Sequence, residues 1–178
     1  MQQHPFHLPL LEIPASGAQL TITDQTLWTE GIAEFHLAIE IQTPLRATVS
    51  IQKTQEGCLV EGTIEGALCI PCNRCLDPCL FPLSTHFRDF EPLPGEDEGD
   101  LVEETRIAEE NGNLFLDLSG LLWEEFVLAT PINPLCTPDC KGLCPQCGAN
   151  RNRETCQCHE GAGDPRLAVF RSLSIPSK

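Results

Sequence analysis

RATVSIQKT (residues 46–54) and CLVEGTIEGALCI (residues 58–70), separated only by Gln55, Glu56 and Gly57, change character at every second position. Ala47, Val49 and Ile51 fall on one side of the first stretch, and Thr48, Ser50 and Gln52 on the other. In the second stretch Val60, Ile64, Leu68 and Ile70 oppose Glu61, Thr63 and Glu65. A period of two belongs to a strand with one face buried, because successive side chains of extended backbone point to opposite faces. The two stretches therefore read as an antiparallel hairpin that turns at residues 55–57. LFPLSTHFRDF (residues 80–90) continues the sheet, with Pro82 marking an edge or an early position because proline has no N–H for a ladder. A strand-rich body spans roughly residues 34–90.

Beyond it, PLPGEDEGDLVEE (residues 92–104) combines proline, glycine and six acids, a composition that favours a solvated loop over a packed element. TRIA and LFLDL flank Asn111-Gly112, a type I′ turn signal, and read as a short strand pair. DLSGLLWEEFVLATP (residues 117–131) reads as a helix over about 118–130. Asp117 or Ser119 can cap it, Leu122, Phe126 and Ala129 share a face with Leu118 behind them, and Pro131 stops it. Trp123 and Phe126 read as core. A short final helix is expected at DPRLAVFRSL (residues 164–173), with Asp164 as N-cap and Pro165 in the first turn. The expected fold class is α+β. A small, mainly antiparallel sheet body with one packed helix and an acidic loop fills residues 1–135, and a cysteine-rich tail fills residues 136–178.

At 178 residues the chain can bury a core of its own, so disulfides are not required. Eleven cysteines leave one thiol unpaired in any fully oxidised monomer, which fits a reducing compartment better. The opening MQQHPFHLPLLEIPASG has no Lys or Arg ahead of apolar residues broken by Pro5, Pro9, Glu12 and Pro14, and no stretch approaches the roughly 20 apolar residues of a bilayer span. A soluble cytoplasmic protein without a membrane partner is expected. The net charge of −15 repels phosphate backbones and anionic surfaces. It is uneven, with five basic against 22 acidic side chains up to residue 135 and six against four after it.

Six cysteines, Cys136, Cys140, Cys144, Cys147, Cys156 and Cys158, follow the spacing C-x3-C-x3-C-x2-C-x8-C-x-C. The most specific piece is CPQCG, Cys144 to Gly148: a two-residue gap turns both sulfurs toward one ion, and glycine permits the positive φ that follows so tight a knuckle. The favoured arrangement is one structural zinc held by Cys144, Cys147 and one cysteine from each flanking pair, Cys136/Cys140 and Cys156/Cys158. Zinc is preferred to an iron–sulfur cluster, although spacing alone leaves the cluster open. Cys72 and Cys75 in PCNRCLDPC are a further pair, and with the six later cysteines they would suffice for two sites of four. Cys58, Cys69 and Cys79 read as ordinary strand or loop thiols, and His159 as an exposed bystander. A redox C-x-x-C usually opens a helix, where the dipole lowers a thiol pKa; Gly-Ala-Asn after Cys147 favours a turn.

CNRCL at the end of a strand, the acidic loop, DLSGLLWEEFVLATPINPLC, CKGLCPQCGANRN, CQC and DPRLAVFRSL together resemble the YceD family, the large ribosomal RNA subunit accumulation proteins. The resemblance covers roughly residues 20–175 and is most specific from Leu135 to Leu173. It implies a bacterial-type cytoplasmic or plastid protein needed for normal levels of large-subunit ribosomal RNA, with no catalytic residue to carry over. Arg151 stands where such sequences often place Leu, and Cys58, Cys69 and Cys79 are additional to the shared pattern. Family members without the C-terminal cysteines exist, so the resemblance implies that metal staples the tail, and that Cys72, Arg74, Cys75 and Leu76 lie closer to the shared function.

The expected function is a non-catalytic factor in ribosome biogenesis that binds precursor ribosomal RNA, a basic large-subunit ribosomal protein, or both. Lys141, Arg74, Arg151, Arg153 and Arg166 are the candidate contacts. A thiol oxidoreductase or ribonuclease is the enzymatic alternative, set against histidines scattered singly; a zinc-dependent protein–protein adaptor is the third reading.

Overall fold

The computed structural model describes residues 6–95 and 105–158. His159, Arg166, the acidic segment at 96–104 and the helix expected at 164–173 lie outside the described residues.

The alternating stretches form two long strands, β3 (Glu40–Lys53) and β4 (Gly57–Pro71), paired antiparallel with Ile51 opposite Val60 and Ala47 opposite Ile64. β5 (Pro78–Pro92) pairs with β4 along its whole length, from Gly57 opposite Pro92 to Pro71 opposite Pro78. The inward residues are the apolar ones: Ala47, Val49, Ile51, Val60, Ile64 and Leu68 are fully buried. β5 is an edge strand of the sheet β2-β3-β4-β5, so Pro82 costs no ladder bond on its open side.

Upstream of the body the chain forms β1 (His7–Pro9), a single 3₁₀ turn, β2 (Ala18–Ile22) and α1 (Thr26–Glu34). β2 pairs with β3, Leu20 facing Val49. Downstream, β6 (Ile107–Glu110) and β7 (Asn113–Asp117) flank a turn in which Asn111 and Gly112 both have positive φ, 52° and 78°, as a type I′ turn requires. β1 adds to β7, completing a second antiparallel sheet, β1-β7-β6. α2 (Leu118–Ala129) follows directly, its first turn capped by Asp117, whose Oδ1 accepts from the Gly120 N–H at 3.1 Å.

Two helices pack where one was expected. α1 starts behind Asp24, whose carboxylate accepts from the Thr26 N–H and hydroxyl; those bonds hold its pKa below the ordinary value. The Gln25 amide then exchanges two hydrogen bonds with the backbone of Leu45, 2.8 and 2.9 Å, at the place where the register of β3 slips between Thr43 and Arg46. Trp28 of α1 and Phe126 of α2 are completely buried, their ring centroids 5.5 Å apart. Phe126 is core as expected, whereas Trp123 is only partly buried, on the flank of the helix pair.

One ion pair ties three elements together. Glu91 of β5 is buried, and its oxygens accept from the Arg106 guanidinium at 2.7 Å and from the Arg106 N–H at 2.8 Å. Arg106 also pairs with Glu124 of α2. A buried carboxylate is tolerated only with such partners. Among the described residues no helix is long and apolar enough to cross a membrane.

Candidate metal centres

After α2 the chain runs along the tip of the β4–β5 hairpin. The Asn73 N–H donates to Pro134 O at 2.9 Å, and the Asn73 amide donates to Asn133 Oδ1 at 3.0 Å. This contact carries Cys136 and Cys140 over Cys72 and Cys75. The four sulfurs form one group, and Cys144, Cys147, Cys156 and Cys158 form another; within each, all sulfurs lie within 4.8 Å of one another. The single site drawing one cysteine from each flanking pair is therefore not the arrangement found. Cys136 and Cys140 both gather with the hairpin pair, and Cys156 and Cys158 both close on the CPQC knuckle. Spacing could not choose between these arrangements, because the deciding contact joins residues some sixty positions apart.

The donor sets suit a tetrahedral ion. Four thiolates about 2.3 Å from one centre stand about 3.8 Å apart along each tetrahedral edge. Cys72 Sγ and Cys140 Sγ are 3.7 Å apart, and Cys75 Sγ and Cys136 Sγ 3.5 Å. A four-iron, four-sulfur cluster, in which each thiolate ligates a different iron, needs a wider cage.

The two knuckles share a backbone form. In the first, the Leu76 N–H donates to Cys72 O at 2.9 Å; in the second, the Gly148 N–H donates to Cys144 O at 2.9 Å. The residue after the second cysteine is left-handed in both, with φ of 62° at Leu76 and 75° at Gly148. Leu76 takes this conformation although it has a side chain, and that side chain is 66% exposed.

Hydrogen bonds prepare sulfurs to be thiolates. Burial pushes the Cys72 thiol up, but backbone N–H groups, that of Arg74 at 3.4 Å among them, outweigh it and bring the pKa to about 6. The N–H groups of Cys147 and Gln146 lower Cys144 to about 6 against its burial. Cys140 is raised by burial and lowered further by the Asn152 amide, 3.3 Å from its sulfur, with a net downward shift. Four others answer in the other direction: Cys158 is pushed up to about 12, chiefly by Cys147, Cys75 is raised by burial and by its neighbouring sulfurs, and Cys136 and Cys156 are raised as well. Crowded thiols do not all ionise on their own, and a cation is what would hold four thiolates together.

The stretch between Cys147 and Cys156 serves both groups. It makes a small ribbon in which Leu143 bridges Asn150 and the Cys144 N–H donates to Ala149 O at 2.8 Å. From this ribbon Asn152 reaches the Cys140 sulfur, and the Asn150 amide and the Arg153 guanidinium reach Asp77 Oδ2 at 2.9 and 3.1 Å. The boundary drawn between residues 135 and 136 is thus crossed by sulfur contacts and by polar bonds. Asp77, Asn150 and Asn152 were not read as site residues from sequence; their only signal was short polar side chains beside cysteines in tight turns.

The basic candidates divide. Lys141 and Arg151 are exposed on the ribbon. Arg153 pairs with Asp77, and Arg74 donates to Cys140 O at 2.9 Å, so both also tie the segment together. Cys58 is buried in the main core, Cys69 lies on β4, and Cys79 sits beside the first group with its thiol directed to Asp77 O at 3.5 Å. None of the three belongs to either set. Neither C-x-x-C opens a helix among the described residues.

The profile of the family described as "Large ribosomal RNA subunit accumulation protein YceD" matches residues 60–174, a span that takes in all eight clustered cysteines. An uncharacterized protein of Mycobacterium tuberculosis is 31% identical over 143 residues, covering 79% of this chain and 67% of that protein, and one of Mycobacterium bovis matches to the same extent. An uncharacterized protein of Mycobacterium leprae is 24% identical over 140 residues, 79% of this chain and 64% of its own. No solved structure matches the chain. From the paired knuckles, the hairpin that carries the first of them and the match over residues 60–174, it follows that the chain belongs to the YceD family.

Proposed function

We propose that the protein is a non-catalytic, cytoplasmic factor of ribosome biogenesis that supports accumulation of large-subunit ribosomal RNA by binding precursor RNA, a basic ribosomal protein, or both. The family match over residues 60–174 carries the reading. Zinc is the ion proposed for both cysteine groups, as a structural element with all four positions filled by protein. The ribbon fits RNA in that Lys141 and Arg151 stand exposed on it while the rest of the chain is strongly acidic. The described histidines stand apart, His7 near Asp117 and His86 beside Glu61, which favours binding over hydrolysis.

Tagged protein drawn from a reduced lysate is expected to bring down large-subunit precursor RNA or a basic large-subunit protein, both being identified in one sample; enrichment of neither overturns the proposal. Replacing Lys141 and Arg151 by Ala is expected to flatten the salt dependence of RNA binding by about 1.4 units of slope, at about 0.7 per phosphate contact with single strands. Arg153→Ala is expected to add less, because that guanidinium is already held by Asp77. A slope unchanged by the first two substitutions moves RNA off the ribbon.

A further inference from the structure

Far from the cysteines, α1 and α2 leave a groove of about 330 Å³ between them, lined by Leu27, Gly31, Phe35 and Trp123 and rimmed by Glu30, Glu34 and Asp117. Its apolar wall is an aromatic pair: the Phe35 and Trp123 rings stack 5.7 Å apart with an interplanar angle of 15°, and Phe35 is 58% exposed. The pair is firmly backed. Trp123 packs on the buried Phe126 at 5.4 Å, and its six-membered ring lies so close to α1 that a Cβ on Gly31 would come within 2.5 Å of it.

The rim carries one sign of charge. Glu30 and Glu34 are exposed, lie one helical turn apart and so share a face, and have no ion-pair partner among the described residues. No Lys or Arg lines the groove. Phosphate is repelled from such a rim, and an uncharged apolar ligand would leave the carboxylates without use. An arginine or lysine side chain answers both surfaces at once, its methylene stem covering apolar rings and its cationic head meeting ring faces and carboxylates.

We propose that this groove docks a basic segment of a protein partner, an arginine or lysine side chain lying along Trp123 with its head between Glu30 and Glu34. The choice of a basic protein rests on the function proposed above, but the groove test does not, since it uses purified components. Failure of the lysate experiment leaves the groove standing, and failure of the groove leaves RNA binding standing.

The probe is the peptide acetyl-Gly-Arg-Leu-Arg-Gly-amide, added to the full ¹⁵N-labelled chain under reducing conditions. The readout is the indole N–H resonances of Trp123 and Trp28, the two tryptophans of the chain. Saturable movement of the Trp123 resonance is expected. Binding should weaken about tenfold, equivalent to about 1.4 kcal/mol, when citrulline replaces arginine in the peptide or when Glu30→Gln and Glu34→Gln are combined in the protein. The citrulline comparison keeps the protein unaltered, so it stands whatever the variants do to folding. Equal affinity for the citrulline peptide, or for the double variant, overturns the proposal. So does movement of Trp123 by oligouridylate to the same extent, or by raising the protein concentration alone, which would make RNA or a second copy the occupant.

Discussion

Leu76 and Gly148 occupy the same place in two knuckles and reach it by opposite means. Gly148 has φ of 75° and a Cβ there would meet nothing within 4 Å, so its need for glycine is purely conformational; Leu76 holds φ of 62° against its own side chain. A non-glycine residue in the left-handed region costs about 1 kcal/mol. Gly148→Ala is therefore expected to destabilise by about 1 kcal/mol, and Leu76→Gly to stabilise by about 0.5–1 kcal/mol, since the mostly exposed leucine gives up little burial. Thermal unfolding in reducing buffer reads both. A loss of stability in Leu76→Gly would mean that the leucine side chain does more in the isolated protein than its exposure indicates. Gly148 was legible in the sequence because C-x-x-C-G states its turn chemistry outright. Leu76 was not, because nothing in the identity of a leucine announces a left-handed backbone, which only the Cys72–Cys75 pair beside it imposes.

At the scale of elements, strands with one buried face were readable and elements lacking a pattern were not. β3 and β4 declare themselves by period two over long runs, and α2 by Asp117 at its cap and apolar residues on one side. α1, TLWTEGIAE, has two threonines, an isoleucine and a glycine in nine residues, weak helix formers whose helix is set by Asp24, Gln25 and the burial of Trp28 against α2. The contact of α2 with β5 carries a pH-dependent cost. Glu125 has its pKa raised above the ordinary value, first by burial and then by the charge of Asp89 and a shared hydrogen bond with it, against the pull of Arg106. A raised carboxyl pKa means that the fold disfavours the charged form. The penalty is absent at pH below the unfolded value, grows as pH rises through the folded value, and is complete above it. Glu125→Gln should then stabilise at pH 7 by a few tenths of a kcal/mol, the group being partly solvated. The gain should vanish as the pH is lowered to about 4. A gain of the same size at both ends of a pH series of melting curves would assign it to packing.

For the molecule as a whole, two sulfur groups replace the single site that the sequence favoured. The CPQC knuckle could be read locally, but its companions could not, because Cys136 and Cys140 are claimed by a hairpin tip whose position depends on the entire sheet. Two equivalents of metal per chain are expected. Cys75→Ser and Cys147→Ser should each abolish one, and elemental analysis of protein purified with reductant and without chelator checks the count. Three cysteines of the first group are buried and Cys136 is half-buried, whereas Cys147 and Cys158 are exposed, so a chelator should strip the second group first. Loss of the first should slacken the 71–78 end of β4 and β5 as well as residues 136–158, a change that hydrogen exchange can map while the core around Val49, Ile64 and Phe126 stays protected. Simultaneous loss of both ions with uniform exchange would mean that the groups are one cooperative unit. The span of the first group has a further consequence, for the chain when it is unfolded. Sixty-one positions separate Cys75 from Cys136, and β5, β6, β7 and α2 all lie between them. A fastener of that span removes about 4 kcal/mol of conformational freedom from the open chain, against about 2.5 kcal/mol for the short ring between Cys147 and Cys156. For as long as the ion stays on its cysteines while the rest opens, it turns the stretch from Cys75 to Cys136 into a tethered ring, which has far fewer ways of being lost than a free thread.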